Sequence, residues 1–260
     1  MPLPPQNDHF REIASRYGAV RRLDTRAVRK IGKALARGRI PAAGLRLLEV
    51  GTGNGRYLQA IADELGRRGV SVAARVGADA SAAMLAGLRL DASVPVAALA
   101  EALPFRTQAF DAVLSFNALH HLDLDAFIAE AARLLAPGGR LALYTRSPAQ
   151  NRATIWGMHF PHFAARETRL YGPDQLRAAL DKSGHFKAVR LRTTAWWQFT
   201  SLPALVRQAH ARHYSTFRFY EPEEFERALA TFRERLRRAY RRLWAIPVRN
   251  NHLIAFARRA

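Results

Sequence analysis

The chain has 260 residues, of which 49% are apolar, and this length is sufficient for one domain with a sizeable core. It contains no cysteine, so disulfides, thiolate metal sites and a cysteine nucleophile are excluded. The formal net charge of +20 comes almost entirely from arginine, and it indicates either a surface for an anionic partner or an arginine-rich coding bias.

Hydropathy bears on the location of the protein. No apolar run approaches the ~18 residues that span a bilayer, and the N-terminal Met-Pro-Leu-Pro-Pro has no apolar signal segment. We therefore expect a cytoplasmic protein without a membrane span, present as a monomer or a homodimer.

The first predicted elements lead into a glycine turn. Helical periodicity runs from about Asp8 to Arg37, and a branched apolar strand near Leu45 ends at Glu49. Glycines then occupy positions 51, 53 and 55, and a helical pattern follows at once. A dinucleotide-binding fingerprint would need glycine at position 56, which is Arg56. The turn therefore predicts bare main chain that lies against a different nucleotide-like ligand.

A second acidic strand end follows the glycine turn. A strand is predicted over Ser71–Asp79, and Ser81 is a suitable N-cap for a helix that begins at Ala82. A carboxylate at the tip of such a strand can accept hydrogen bonds from both hydroxyls of a ribose. Asp79 is therefore a candidate ribose ligand.

The later elements alternate between strands and helices, which is the pattern of a parallel sheet. The predicted elements are strands over Val94–Leu99, Phe110–Phe116 and Gly139–Thr145, a capped helix over Gly172–Gly184, a strand over Phe186–Trp196, a mostly helical stretch over Leu202–Trp244 and a closing strand over Asn251–Phe256.

Three further motifs stand in order along this part of the chain. They are Ala100-Glu101-Ala102-Leu103-Pro104-Phe105, the strand end Ser115-Phe116-Asn117-Ala118-Leu119-His120-His121, and the turn Leu134-Leu135-Ala136-Pro137-Gly138-Gly139. Together with the glycine turn and Asp79, the series resembles the UbiE/type-11 group of class I S-adenosylmethionine (SAM) methyltransferases over roughly residues 8–144.

The resemblance implies an α/β fold with a seven-stranded Rossmann-like sheet that is mostly parallel. The last two strands form a hairpin, and the final strand is antiparallel. Residues 1–150 are expected to hold the N-terminal helices and the SAM-binding core, and residues 151–260 the remaining core strands and helix. Helical insertions over about 151–170 and 200–245 are expected to form a substrate lid, all within a single globular unit.

SAM is the cofactor that the resemblance implies, bound at the carboxyl edge of the sheet. The glycine turn would pass its amino-acid part, and Glu49 beneath would anchor the turn or the ammonium group. Asp79 would take the ribose, and Met84 would contact adenine. Leu99 stands where the family often has aspartate, which leaves Glu101 or nearby main chain for the adenine amino group. The implied cofactor-binding residues are Tyr17, Arg21, Glu49, Gly51, Thr52, Gly53, Asn54, Gly55, Asp79, Ala80, Met84, Ala100, Glu101, Ala102 and Asn117.

Two of these residues precede the sheet. Tyr17 and Arg21 resemble the N-terminal side chains that close over the SAM carboxylate in the family. Packing in the core is an equally good interpretation for Tyr17.

The candidate catalytic residues are His120 and His121, just past the fourth strand. Methyl transfer from a sulfonium needs mainly positioning and a dry pocket, and a base is needed only where the acceptor must lose a proton. Successive residues point in different directions, so at most one of the two should face the pocket, and a structural role stays open for either. Tyr144 and Arg146 are further candidates for the pocket wall.

The remaining groups of residues are weaker indicators of function. His159 with His162, and His210 with His213, have helical spacing, but no cysteine or nearby carboxylate completes a tetrahedral set, so no metal site is expected. The segment 233–242 predicts an amphipathic helix with a solvated basic face, and a phosphate-binding face is the alternative. Core or lid packing, or an aromatic-lined pocket for a flat or hydrophobic acceptor, is predicted for Trp156, Trp196, Trp197 and Trp244.

Three functions are compatible with these patterns. The first is a SAM-dependent methyltransferase acting on an O, N or C nucleophile of a small-molecule acceptor. The second is a tRNA-modifying methyltransferase, which is compatible with the positive charge and with the resemblance of the Asn117-Ala118-Leu119-His120-His121 segment to wobble-uridine carboxylate methylating enzymes. The third is a protein of the same fold that binds SAM without transferring its methyl group.

Overall fold

A computed structural model describes residues 23–38, 40–86 and 93–260 of the chain. The seven strands in these ranges are β1 (Leu45–Val50), β2 (Val72–Asp79), β3 (Ser93–Ala97), β4 (Phe110–Phe116), β5 (Leu135–Thr145), β6 (Phe186–Thr200) and β7 (Ile246–Arg259). They form one sheet in the order β3-β2-β1-β4-β5-β7-β6.

Helices connect most of these strands. The α-helices within the described ranges are α1 (Thr25–Ala36), α2 (Arg56–Gly66), α3 (Ala82–Ala86), α4 (Leu124–Leu134), α5 (Pro148–Arg152), α6 (Ile155–His159), α7 (Phe163–Arg166), α8 (Pro173–Lys182), α9 (Leu202–His210) and α10 (Pro222–Ala239). Two short 3-10 turns cover Leu119–His121 and Ser215–Phe219. None of the helices described is long and apolar enough to cross a membrane.

The strand directions confirm the predicted architecture. Strands β1 to β5 pair in parallel, whereas β7 is antiparallel to both of its neighbours, β5 and β6. Parallel strands bring their carboxyl ends to one edge of the sheet, which is where ligands bind in open α/β folds. The glycine turn after β1, Asp79 at the end of β2 and Asn117 after β4 therefore lie along the same edge.

The β6–β7 hairpin is longer than the sequence predicted. We expected β6 to end at Trp196 and β7 to begin at Asn251, but their pairing continues from Trp196 opposite Asn250 to Thr200 opposite Ile246. The ladder between β5 and β7 ends where Thr145 pairs with Leu253. Each strand of the hairpin therefore continues for seven residues past the end of β5, about 23 Å of extended chain, and carries Trp196 beyond the core.

Two other predicted boundaries differ from the structure. Strand β5 begins at Leu135 instead of Gly139, because Leu135 pairs with Phe110 before a bulge that holds the Pro-Gly-Gly turn. Helix α1 begins at Thr25, where the Asp24 carboxylate accepts hydrogen bonds from the first turn at 3.0 and 3.1 Å. The part of the predicted helix that precedes residue 23 lies outside the described residues.

Apolar side chains cover both faces of the sheet. On one face, Leu47 packs among residues of α1 and α2. On the other face, Leu48 packs among residues of α4 and α8. This alternation within one strand is what a sheet buried on both sides requires.

A third apolar cluster, which we call the upper cluster, lies outside the sheet layers. It joins α6, α7, α9 and α10 to the tip of the β6–β7 hairpin. Trp156 stacks on Phe232 with ring centroids 4.8 Å apart, and both side chains are buried. The long predicted helical stretch is thus three separate pieces, α9, a 3-10 turn and α10, which fold around one core.

The arginine-rich segment forms the end of α10 and is amphipathic, as predicted. Phe232 and Leu236 are fully buried in the upper cluster, while Arg233, Arg235 and Arg237 are exposed. The expectation of packing was wrong for two tryptophans, since Trp197 is 65% and Trp244 is 73% exposed. Trp197 points away from the cavity side of β6 because side chains alternate along a strand.

Candidate active site

The glycine turn after β1 is held by the neighbouring strand. The N–H groups of Gly51 and Thr52 both donate to the carbonyl of Ala78, at 2.8 and 3.0 Å. All three glycines of the turn have a positive φ between 55° and 70°. A Cβ added to Gly51 would lie 2.3 Å from the Cβ of Ala118, so a side chain does not fit there. The turn therefore presents main chain at the edge of the sheet.

Glu49 anchors this turn from below. Its side chain is buried, and Oε2 accepts hydrogen bonds from Thr52 Oγ1 at 3.0 Å and from the Leu58 N–H at 2.8 Å. Burial raises the pKa of the Glu49 carboxyl to about 8, although these hydrogen bonds act in the opposite direction. The carboxyl is therefore mostly neutral at pH 7. Of the two roles considered for Glu49, its contacts support the anchoring of the turn.

Asp79 connects the glycine turn to the next strand end. Its Oδ2 accepts from the Gly53 N–H at 2.8 Å, and its Oδ1 accepts from the Ser81 N–H at 2.9 Å. Burial raises the pKa of the Asp79 carboxyl, while these two hydrogen bonds oppose the shift. A carboxylate oxygen has two lone pairs, so each Asp79 oxygen can accept a further hydrogen bond.

The side-chain carbonyl of Asn54, in the same turn, lacks a hydrogen-bond donor among the described residues. Its Oδ1 atom is buried and accepts no hydrogen bond from the described residues. Buried polar atoms in proteins are nearly always hydrogen-bonded, so such an atom indicates a missing ligand or water. It lies among the residues that the resemblance implies for SAM.

The other implied cofactor residues surround the ends of β2 and β3. Met84 is buried on α3, and Ala80 is half-buried. Glu101 is half-buried between Ala100, which is buried, and Ala102, which is exposed. Its Oε1 accepts from the Asp123 N–H at 3.0 Å, which ties this segment to the start of α4. Tyr17 and Arg21 lie outside the described residues.

Asn117 marks the point where β4 turns toward the pocket. It has a φ of +55°, which is uncommon for a residue other than glycine but tolerated by asparagine. Its N–H donates to the Tyr144 carbonyl at 2.7 Å, so the turn is fixed to the end of β5.

The two adjacent histidines have different surroundings. His120 lines a cavity, and its Nε2 lies 3.5 Å from Ser215 Oγ. His121 has its Nδ1 atom 3.4 Å from a guanidinium nitrogen of Arg169. Burial, followed by the neighbouring His120 and Arg169, holds the pKa of His121 far below its usual range, so this ring stays neutral.

The cavity beside His120 has a volume of about 410 Å³ and lies between the sheet edge and the upper cluster. This volume falls within the usual range for small-molecule sites. Its wall includes Arg56, Tyr57, Asn117, His120, Tyr144, Thr145 and Arg146 from the core, and Trp156, Trp196, Gln198, Leu205, His213, Tyr214, Ser215, Val248 and His252 from the hairpin and the helices above. Two of the four tryptophans thus line it.

A set of stacked rings forms part of the wall. The His252 ring lies between Tyr144 and Trp196, with centroid distances of 4.7 and 5.5 Å and interplanar angles below 20°. The Tyr144 hydroxyl donates to Asp24 Oδ2 at 3.0 Å. Burial, together with the nearby Tyr57 and Asp24, raises the pKa of Tyr144 well above its usual value. Tyr144 is therefore a neutral donor and is not a base.

Sequence reasoning missed Asp24, Tyr57 and His252. Asp24 had a recognisable signal, since it precedes a helical pattern at an N-cap position. Tyr57 and His252 lie within ordinary apolar patterns of a helix and a strand, and no motif marks them.

Glu167 ties the segment after α7 to the 3-10 turn above the histidines. It accepts from Thr216 Oγ1 and from Arg169 Nη2, each at 2.6 Å. Arg169 Nη2 also donates to Ser215 Oγ at 3.1 Å. Burial alone would raise the pKa of Glu167, but the hydrogen bonds from Arg169 and Thr216 lower it below its usual value.

We expect Glu167→Ala to destabilise the protein by about 2–4 kcal/mol, because it removes the partner of the partly buried Arg169. Urea unfolding measures the change. Glu223→Ala is the control, since the Glu223 side chain is 91% exposed and pairs only loosely with Arg227. Equal midpoints for the two variants would contradict the structural role assigned to Glu167.

Comparisons with known proteins agree with this geometry. Residues 48–143 match a family model described as a methyltransferase domain. A ubiquinone biosynthesis O-methyltransferase from Chelativorans sp. (strain BNC1) is 35% identical over 158 residues, which are 55% of this chain and 60% of that protein. The chain therefore aligns with less than two thirds of that relative.

Solved structures show the same fold at lower identity. The YcgJ protein from Bacillus subtilis has a TM-score of 0.59 at 16% identity, covering 90% of this chain and 98% of that one. Phosphoethanolamine N-methyltransferase 2 of Haemonchus contortus, in complex with S-adenosyl-L-methionine, has a TM-score of 0.52 at 19% identity, covering 88% of this chain and 52% of that one. Residues 48–143 thus match a methyltransferase-domain family model, and the chain has the Rossmann-like fold of these solved structures.

Proposed function

We propose that the protein is a SAM-dependent methyltransferase that methylates an O, N or C nucleophile of a small-molecule acceptor. The observation that carries the proposal is the Asp79 carboxylate, which is hydrogen-bonded to Gly53 in the glycine turn and lies along the sheet edge that borders the cavity beside His120. The family match and the name of the aligned O-methyltransferase support the same reaction class.

The residues at the sheet edge fit SAM. The positive φ of the turn glycines leaves main chain open to the amino-acid part, and the buried Asn54 Oδ1 offers an unused acceptor there. Asp79 retains lone pairs for two ribose hydroxyls, and the buried Met84 offers an apolar contact for adenine. Bound SAM supplies a methyl group already activated on a sulfonium.

The residues of this chain contribute to the reaction by positioning the acceptor and by accepting one proton from it. The cavity wall holds the acceptor against the sheet edge and excludes water. His120 is the proposed base for acceptors that must lose a proton, since it lines the cavity. His121 is a positioning residue, because the contact with Arg169 and the low pKa of its ring keep it neutral.

The upper cluster is proposed to be a lid over the acceptor. Its helices and the hairpin tip supply the outer wall of the cavity, including Trp156, Leu205 and Ser215. On this proposal, residues 1–150 carry the cofactor site and residues 151–260 close the acceptor site within one globular unit.

Calorimetric titration with SAM, followed by a search for methyl transfer, tests the function. Tritiated SAM is incubated with the protein and with a cell extract separated into small molecules, RNA and protein. Label in the small-molecule fraction, with formation of S-adenosylhomocysteine, is the expected result. Label in RNA alone would replace the proposal with nucleic-acid methylation. Tight SAM binding without any transfer would favour a protein that only binds the cofactor.

We expect His120→Asn to lower kcat by 10²–10⁴-fold for an acceptor with a dissociable proton, the usual contribution of a general base. The affinity for SAM should stay within about 2-fold of wild type, and the pH profile should lose its acidic limb. His121→Asn is the matched control, and it should keep the shape of the profile. An unchanged kcat for His120→Asn on such an acceptor would remove His120 as the base.

A further inference from the structure

Arg146 places a buried guanidinium in the cavity wall. It is the first residue after β5 and is 8% exposed. One terminal nitrogen donates to the Tyr214 hydroxyl at 3.0 Å, and the other lies 3.2 Å from His252 Nε2. A guanidinium has only donors, so His252 Nε2 must accept and the ring must be neutral. Both partners are therefore neutral groups.

No carboxylate of the described residues pairs with this guanidinium. The two acidic side chains on the same wall have other partners, since Asp24 caps α1 and accepts from Tyr144, while Glu167 is paired with Arg169. The Nε atom of Arg146 is buried, and no acceptor within residues 23–38, 40–86 or 93–260 reaches it.

This arrangement differs from that of two partly buried arginines elsewhere in the protein. Arg46 pairs with Asp111 at 2.9 Å, and Arg133 pairs with Glu130 at 2.6 Å. A buried charge without a counter-charge is costly, and such groups are normally paired. Among the described residues, Arg146 therefore has an unused donor, its buried Nε, and a positive charge without a carboxylate partner, and the residue lines a small-molecule cavity.

We propose that Arg146 binds an oxyanion of the acceptor, so that the substrates of this site are anionic small molecules with a flat ring. The inference rests on the proposed methyltransferase function and names its substrate class. A carboxylate or a phosphate can pair with a guanidinium through two parallel hydrogen bonds. The rings of Trp196, His252 and Tyr144 on the same wall provide flat apolar surface for the remainder of the molecule.

The SAM carboxylate is the competing partner for Arg146. The glycine turn follows β1, whereas Arg146 follows β5, and β4 lies between these two strands. Neighbouring strands are about 4.8 Å apart, so the two positions are separated by roughly 10 Å along the sheet edge. This separation places Arg146 on the acceptor side, and the affinity for the cofactor product provides the check.

Calorimetry with matched probes tests the proposal. The wild-type protein is saturated with S-adenosylhomocysteine and titrated with 2-naphthoate, 2-naphthyl phosphate and the neutral 2-naphthamide. We expect at least one of the two anions to bind 10-fold or more tightly than the amide, and the better anion identifies the group. Equal affinities for the anions and the amide would overturn the inference. Failure of S-adenosylhomocysteine to bind would instead defeat the proposed function.

Variants then assign the effect to Arg146. Arg146→Gln should reduce the preference for the anion to within about 2-fold while leaving the affinity for S-adenosylhomocysteine unchanged. Arg237→Gln, at an exposed position on α10, is the control and should keep the preference. A larger loss of S-adenosylhomocysteine affinity than of naphthoate affinity in Arg146→Gln would assign this residue to the cofactor and overturn the inference.

A second variant keeps the test decisive if Arg146→Gln does not fold. Tyr214→Phe removes one neutral acceptor from the guanidinium but retains the ring beside it. The anion preference should persist or increase, because the guanidinium then has one more donor to offer. Loss of the preference in Tyr214→Phe would show that the hydroxyl, and not Arg146, recognises the anion.

Discussion

Asp79→Ala is expected to weaken the binding of SAM by 100-fold or more. Two ribose hydroxyls bound to a carboxylate contribute about 1.5–3 kcal/mol each. The substitution also removes the acceptor of the Gly53 N–H, so the glycine turn keeps only the main-chain hydrogen bonds of Gly51 and Thr52 to Ala78 in β2. Isothermal titration with SAM and with S-adenosylhomocysteine measures the loss. Near-normal affinity would remove Asp79 from the ribose site.

A ligand variant separates the loss of ribose contacts from a collapse of the turn. Wild type should bind S-adenosylhomocysteine at least 10-fold more tightly than its 2′-deoxy analogue, and Asp79→Asn should show a smaller difference. Asp63→Ala is the matched control, because this aspartate is exposed on α2 and its carboxylate accepts from Gln59 in the preceding turn. A preference for the ribose that survives in Asp79→Asn at full strength would contradict the assignment.

Glu49→Gln is expected to stabilise the protein at alkaline pH. Folding raises the pKa of Glu49 from 4.5 to about 8, so the folded state binds the proton more tightly than the unfolded chain. The contribution of the protonated Glu49 carboxyl to the free energy of unfolding is therefore fully present below pH 4.5, and it is lost as the pH rises toward 8. A neutral amide does not titrate, so the variant should gain roughly 3–5 kcal/mol on wild type between pH 5 and pH 9.

Urea unfolding at pH 5, 7 and 9 measures this change. Glu49→Ala is the contrasting variant, because it leaves the Leu58 N–H and the Thr52 hydroxyl without their acceptor, and it should cost about 2–4 kcal/mol at every pH. Glu223→Gln, at an exposed position, controls for the general effect of removing a carboxylate. If the difference in the free energy of unfolding between Glu49→Gln and wild type does not grow with pH, the Glu49 carboxyl is not buried in its neutral form.

The strand directions, and the sheet edge where we propose that the cofactor binds, could be predicted because their signals are local. The glycine spacing after Glu49 and the acidic end of β2 are properties of short segments, and the chirality and alternation of βαβ units bring such segments to one sheet edge. The two histidines after β4 were found in the same way. Which of the two lines the cavity and which contacts Arg169 could not be predicted. This depends on the 3-10 turn at residues 119–121 and on a segment almost 50 residues later in the chain.

The cavity beside His120 could not be predicted, because its wall combines residues from distant parts of the chain. Arg146 and His252 are 106 positions apart, and their contact exists because β7 inserts antiparallel between β5 and β6. The extension of the β6–β7 hairpin carries Trp196 to the wall of this cavity. It depends on the pairing of the two strands, and the sequence of neither strand alone indicates it.

Local sequence pattern was therefore sufficient to predict the class of fold and to propose the sheet edge at which a nucleotide-like cofactor binds, since both follow from strand ends and turns that a short segment encodes. Tertiary packing determined which side chains lie at that edge of the sheet and what surrounds each of them. The raised pKa of Glu49, the ring set around His252 and the lack of a carboxylate partner for Arg146 among the described residues arise from burial and from long-range contacts. Desolvation and pairing are properties of an environment, and a residue acquires that environment only when the chain has folded.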